Sequence, residues 1–229
     1  MLTLAIECAT KSIGLALLNG ENVCAEVYLD LGRHHTEILF PALDQFFLLA
    51  RHAPEEVDLL ACTVGPGSFT GLRIGVSTVK GLALAMAKPV VGVSTLETLA
   101  VNVIPSRGLI CPMLDAKKNQ VYSCLYRVGS DGLPEAVTTE ALIDVDQFLH
   151  DLDEGEIIFL GDGAIRYEKL IGETLKDRAV VCGRSQQRLR ASSVGLIGLH
   201  RYRNGGALDT CTFAPNYVRL SQPETISKI

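Results

Sequence analysis

The stretch TVGPGSFTGLRIGVSTVKGLALAMA, residues 63–87, limits what this chain can be more than any other. It opens on glycines at 65, 67 and 71, spaced like a phosphate cradle, and continues as a helical segment with almost no charge. A P-loop needs Lys-Ser/Thr directly after its last glycine, to reach phosphate and magnesium. Here Gly71 is followed by Leu72 and Arg73. A dinucleotide fingerprint needs G-x-G-x-x-G opening a βαβ unit. In this chain the third glycine comes one residue late, and the segment follows a hairpin. Ser77 and Lys80 match the S-x-x-K pair of penicillin-recognising enzymes, but neither Lys-Thr-Gly nor Ser-Asp-Asn accompanies them. The stretch therefore reads as a surface for another protein rather than a nucleotide site.

On a helical wheel, Arg73, Ser77 and Lys80 form the only polar row, and small or apolar residues cover more than half the circumference. That is wider than the single stripe a surface helix buries. Gly67, Gly71 and Gly75 recur every four residues, at roughly 0.5–1 kcal/mol each against alanine, which close approach of another backbone would offset. The preceding segment, HHTEILFPALDQFFLLA at 34–50, is similarly over-apolar. Ile38, Ala42, Phe46 and Leu49 make one row, expected to face a sheet. Leu39, Phe40, Leu43 and Phe47 make a second, expected to face outward. With Gly71, Leu72, Gly75, Val76 and Val79 they form the expected partner interface, since contiguous exposed apolar surface marks one.

With 229 residues, 48% of them hydrophobic, the chain has ample length for a core. Its seven cysteines show no CxxC pair and read as buried free thiols of a reducing compartment. The N-terminus has no leader pattern and no apolar run is long enough to span a bilayer, so a cytoplasmic location without membrane contact is expected. A formal net charge of −5 argues against direct nucleic-acid binding, which draws its affinity from phosphate neutralisation. The basic residues of 184–203 read as a solvated helix face.

Along the chain, LTLAIECA and IGLALLN read as strands, and the Asn19-Gly20 pair joins the second to VCAEVYLDL as a hairpin. VDLLACTV (57–64) reads as a central strand, KPVVGVST (88–95) as another, with a capped helix over 94–104. After PSRG the programme restarts. LICPMLDAKKNQVYSCLY mirrors LTLAIECATKSIGLALLN: each first strand ends in an acid, Glu7 or Asp115, and a second strand begins six positions later. EIIFLGDGA echoes VDLLACTVGPG. A duplicated βββαβα pattern predicts two similar lobes, 1–104 and 105–229, each with a mixed five-stranded sheet flanked by helices. The last helix and tail could return to the first lobe. This layout resembles the actin-like ATPase superfamily (ASKHA, ribonuclease H-like), in which such acids line a metal–nucleotide cleft. Glu7, Asp115, Gly161 and Gly163 are the cleft candidates, and an active ATPase or kinase using Glu7 and Asp115 is the alternative reading.

The glycine-helix block, KPVVGVSTLETLA, RHHTEILFPAL (33–43), LDAKKNQVYSCLY and PNYVRL (215–220) together resemble the TsaB (YeaZ) family over nearly the whole chain. That family is a degenerate relative of TsaD, which transfers a threonylcarbamoyl group to the adenosine beside the anticodon of tRNAs reading codons that begin with adenine. The resemblance implies a non-catalytic partner that binds TsaD through its N-terminal helices, is joined by TsaE, and forms a homodimer through the same helices without TsaD. It implies contact with tRNA only through partners, no cofactor for the chain alone, and room for ATP in the complex. TsaD-like proteins carry a His-x-x-x-His metal pair where this chain has Thr95 to Leu99, so no catalytic or metal residue is expected. His35 matches the family's R-x-H element and reads as a capping or packing residue. The usual Asp-Thr-x-Thr is here Glu7-Cys8-Ala9-Thr10, which weakens phosphate-loop hydrogen bonding. The peptidase label attached to such proteins finds no Ser-His-Asp or metal cluster to support it.

Overall fold

The structure, a computed structural model, describes residues 1–32, 35–152 and 155–218. The motif residues Arg33 and His34, and the Arg219-Leu220 end of PNYVRL, lie outside them. The chain divides into two compact units, the first Met1–Asn102 together with Arg188–Asn216, the second built on Val103–Gln187. Residues 188–216 of the expected second lobe thus belong with the first.

In the first unit, β1 (Leu2–Glu7), β2 (Ile13–Asn19) and β3 (Asn22–Leu29) form an antiparallel meander whose second turn contains Gly20 at φ 59°. Then come α1 (His35–Ala50), β4 (Leu59–Gly65), α2 (Phe69–Met86), β5 (Val90–Ser94) and α3 (Thr95–Ala100). The sheet order is β3-β2-β1-β4-β5, with β1, β4 and β5 parallel.

Strand alternation decides what covers each face. Leu4, Ile6, Leu15, Leu60 and Cys62 meet Leu39, Phe46, Val76 and Val79 from α1 and α2 in the main core. Ala5, Ala16 and Ala61 point the other way, toward Val194 and Ile197 of α7 (Ala191–Arg203). These alanines and two helix glycines bring α7 close. A Cβ on Gly195 would strike Leu18, and one on Gly198 would strike Ala61.

The second unit repeats the plan. In chain order it contains β6 (Leu109–Lys117), β7 (Gln120–Ser123), β8 (Tyr126–Val128), β9 (Pro134–Ala136), β10 (Ala141–Asp144) and α4 (Val145–His150). It continues with β11 (Ile157–Leu160), α5 (Asp162–Arg166), α6 (Glu168–Leu175) and β12 (Ala179–Val181). Its order β10-β7-β6-β11-β12 matches the first sheet position for position, but β8 and β9 pair off the side of β6. The second sheet therefore has seven strands rather than five. The hairpin arises because β7 stops at Ser123, leaving Ile110 of β6 to pair with Tyr126. The duplicated sheet with helical layers is the actin-like fold.

Candidate functional site

α1 and α2 lie side by side on one face of the first sheet, and their burial corrects the expected interface. Leu39, Leu43, Phe46 and Phe47 of α1 are all buried, as are Gly71, Leu72, Gly75, Val76 and Val79 of α2. They are covered by their own unit. Full burial of each large aliphatic is worth roughly 1.5–3 kcal/mol, so the inner faces of both helices are spent on folding. Of the residues expected to meet a partner, only Phe40 is outward, at 57% exposed. Leu49, expected to face the sheet, is 76% exposed. The buried stripe of α1 runs 39, 43, 46 and 47, so the helix is rotated from the expected setting.

What remains outside is a second apolar set: Phe40, Leu48 and Leu49 on α1, Phe69 and Leu84 on α2. Between the last two runs a stripe of Thr70, Arg73, Ser77 and Gly81, all exposed. The Arg73 guanidinium stacks 3.7 Å over the Phe69 ring. A Cβ on Gly81 would meet nothing within 4 Å. This glycine sits mid-helix without an internal reason. The Arg73–Ser77 polar row marked the outward face in the sequence, and following it C-terminally would have led to Gly81 and Leu84.

The glycines at 67, 71 and 75 do admit another backbone, but it is the chain's own. The turn between β1 and β2 passes directly against them. A Cβ on Gly67 would strike Ala9 O, one on Gly71 would strike Cys8 O, and one on Gly75 would press on the Cys8 and Cys62 side chains. Ser68 N donates to Ala9 O at 2.6 Å, and the Ser68 hydroxyl caps α2 by accepting from Gly71 N. His35, the first residue of α1, bonds through Nε2 to Ser12 O at 3.1 Å. The roots of both helices are thus pinned to one turn. Beside it opens a cleft of about 410 Å³ lined by Lys11, His35, Thr36, Ser68, Thr70 and Ile74. Lys11 at its mouth is 3.4 Å from Asp30.

The cleft candidates are each closed locally. Glu7 is fully buried; its Oε1 accepts from Ala9 N at 2.5 Å and its Oε2 has no partner among the described residues. Burial pushes its carboxyl up to about 8, against the Ala9 hydrogen bond. Asp115 takes the other course. Lys117 Nζ at 2.5 Å and Arg166 at 3.3 Å both contact its Oδ2, and Oδ1 accepts from Lys117 N. Partial burial works upward on it, but Lys117 and then Arg166 outweigh that and hold it below its ordinary value. Gly161, at φ 97°, turns the chain from β11 into α5, and its N–H donates to Gln187 Oε1. Gly163 brings α5 onto β6, where a Cβ would meet Met113 O.

At the place of the absent histidine pair, Thr95 and Leu99 are buried in α3, and Ser94 caps that helix through Leu96 N and Glu97 N. Among the described residues no three His, Cys, Asp or Glu side chains group as metal ligands. The basic segment is not one face: Arg188 stacks over Tyr28, Arg201 bonds Glu97 and Gly92 O, and Arg203 pairs with Glu21. Four cysteines are buried, Cys182 is half-buried and Cys24 and Cys211 are exposed, correcting the expectation for those three. No described helix is long and apolar enough to cross a membrane.

A family model described as TsaD, tRNA N6-adenosine threonylcarbamoyltransferase, matches residues 29–220. The tRNA threonylcarbamoyladenosine biosynthesis protein TsaB of Bacillus subtilis (strain 168) is 32% identical over 226 residues, 98% of this chain and 96% of that one. The chain belongs to the TsaB (YeaZ) family. A second TsaB, from Escherichia coli K12, is 33% identical over 71% of this chain and 72% of its own length. The solved structure of YeaZ from Pseudomonas aeruginosa superposes with a TM-score of 0.81 at 25% identity, covering 94% of this chain and 99% of that one. The TsaD-type model and the Bacillus subtilis TsaB match both run through the two units.

Proposed function

We propose that this chain serves threonylcarbamoyladenosine formation in tRNA as a docking subunit that performs no transfer itself. Its outer α1–α2 surface receives TsaD, with TsaE joining the pair, and receives a second copy of the chain when TsaD is absent. The supporting observation is the outward stripe of α2, where Gly81 lies between exposed Leu84 and Ser77 with open space above it. A mid-helix glycine costs about 1 kcal/mol against alanine, and here nothing within the subunit offsets it. Exposed Phe40, Leu48 and Leu49 on the neighbouring helix supply the apolar area that association requires.

Loss of catalysis is supported by the state of the two acids. A metal–nucleotide needs accessible carboxylates, whereas Glu7 is enclosed and Asp115 is engaged by two cations. The net charge of −5 and the engagement of Arg188, Arg201 and Arg203 by their own chain support contact with tRNA through partners only. ATP enters this reading with the assembled complex rather than with the chain alone.

Gly81→Arg and Leu84→Asp test it. Each should abolish co-purification with TsaD and reduce tRNA modification in cells lacking the native chain, while the isolated protein stays folded, Gly81→Arg melting no lower than the wild type. Undiminished TsaD binding by both variants would overturn the proposed surface. For the alternative, magnesium-ATP turnover by the isolated chain that disappears in Asp115→Ala would favour an active ATPase or kinase.

A further inference from the structure

We propose that Glu7 is a neutral, proton-bearing tether that fixes the Cys8–Ser12 turn against the roots of α1 and α2 and so sets the geometry of the docking surface. The inference rests on the docking reading above and assigns Glu7 a positioning role within it.

The connections are direct. Glu7 Oε1 holds Ala9 N, and Ala9 O holds the N–H of Ser68, the cap of α2. Cys8 packs under Gly71 and Gly75. Three residues further on, Ser12 O receives His35 at the start of α1. Displacing this turn displaces both helix starts.

Among the described residues nothing beside Glu7 balances a negative charge. On its own segment stands Cys8 and on β4 Cys62, thiols, which carry no positive charge in either protonation state; burial first and Glu7 second push both up, so neither readily gives up its proton. From β2 the neighbour is Gly14, backed by Ala191 of α7, with no ionisable group. Lys11 is turned to Asp30. An uncompensated carboxylate buried this way is far costlier than the acid, so the proton stays on Oε2 while Oε1 accepts. In that state the side chain does only what glutamine could do.

The sign follows from the raised titration, about 8 against an ordinary 4.5. With the turn open the carboxyl ionises above 4.5; with it closed it stays neutral up to about 8. Between those values each pH unit favours opening by up to about tenfold.

Hydrogen exchange of the isolated full chain, wild type beside Glu7→Gln at matched pH, reads this without any partner. Between pH 6 and 8, protection at Ala9 and in the first turn of α2 should fall at least tenfold more in the wild type than in Glu7→Gln. Equal changes in the two proteins overturn the tether. TsaD binding at pH 7 then reads the coupling: Glu7→Gln should match the wild type and Glu7→Ala should lose at least tenfold in affinity. If Glu7→Ala is folded and binds like Glu7→Gln, the inference is overturned. If it does not fold, wild type and Glu7→Gln compared at pH 9 take its place. There the wild type should bind more weakly, by up to about tenfold, and equal binding overturns the coupling. If neither wild type nor Glu7→Gln binds TsaD or self-associates, the docking reading has failed, and the exchange comparison alone decides whether Glu7 tethers the turn.

Discussion

The two faces of α2 use glycine in opposite ways. On the inner face, Gly71 and Gly75 let the strand-end turn at Cys8 lie against the helix, so their cost is offset inside the subunit. On the outer face, Gly81 meets no atom of its own unit, and an offset has to come from another molecule. The same residue type in the same helix therefore marks folding at one position and association at another. The largest expected effect tests the inner half. Gly75→Arg should cost about 3 kcal/mol or more, because it forces volume and an unpaired charge between Cys8, Cys62 and the sheet. Urea unfolding would measure it. A stable, folded Gly75→Arg protein would break the contrast and return Gly75 to the outer surface.

The turn under those inner glycines gives the next effect. Because the folded chain keeps Glu7 neutral up to about 8, against 4.5 when unfolded, the stability linked to its proton is complete below pH 4.5. It is lost progressively as pH rises toward 8. By pH 7 the loss is on the order of 3 kcal/mol at about 1.4 kcal/mol per unit. Glu7→Gln should remove that slope and leave the chain more stable than wild type at pH 7. Melting curves from pH 5 to 8 that run parallel in both proteins would show that the turn does not depend on a protonated acid.

Much of this was legible in the sequence, and the exceptions have physical causes. The Asn19-Gly20 hairpin, the apolar β4 run and the restart after PSRG follow from local turn chemistry and strand period. The second sheet's additional β8–β9 hairpin was not, since a strand of three residues such as Tyr126–Val128 leaves almost no period to detect. The helices were readable as over-apolar, yet which apolar row faces inward is settled by tertiary packing. On α1 the rows at 38–42–46–49 and 39–43–46–47 share Phe46 and differ by a rotation of less than one residue spacing. In the sequence Glu7 resembles a cleft acid because it ends a first strand. Its enclosure depends on Gly14, Cys62 and α7, which no local motif encodes.

A smaller effect tests the outer half of the contrast. Gly81→Ala adds a methyl where there is open space and removes backbone freedom from the unfolded chain. It should raise stability by roughly 0.5–1 kcal/mol. The same methyl should weaken TsaD binding if a partner backbone lies close above it. Stabilisation with unaltered binding would show that Gly81 is not at the contact.

The smallest effect comes from the repeat of the inner arrangement in the second unit. There Gly163 brings α5 onto Met113 O, as Gly71 brings α2 onto Cys8 O, and the corresponding acid is Asp115, which lies two residues before the end of β6 rather than at its end as the sequence pattern suggested. Its partners, Lys117 and Arg166, are 73% and 52% exposed, so water screens the pairs. Asp115→Asn should therefore cost no more than about 1 kcal/mol. The sign with pH is the reverse of Glu7: a carboxyl held below its ordinary value lends stability above that value and loses it as pH falls. The difference between Asp115→Asn and wild type should shrink on acidification below about pH 4, while that between Glu7→Gln and wild type grows on raising pH from 4.5 toward 8. If both differences move the same way, the two acids share one environment, and the contrast between an enclosed acid under α2 and a paired one under α5 fails.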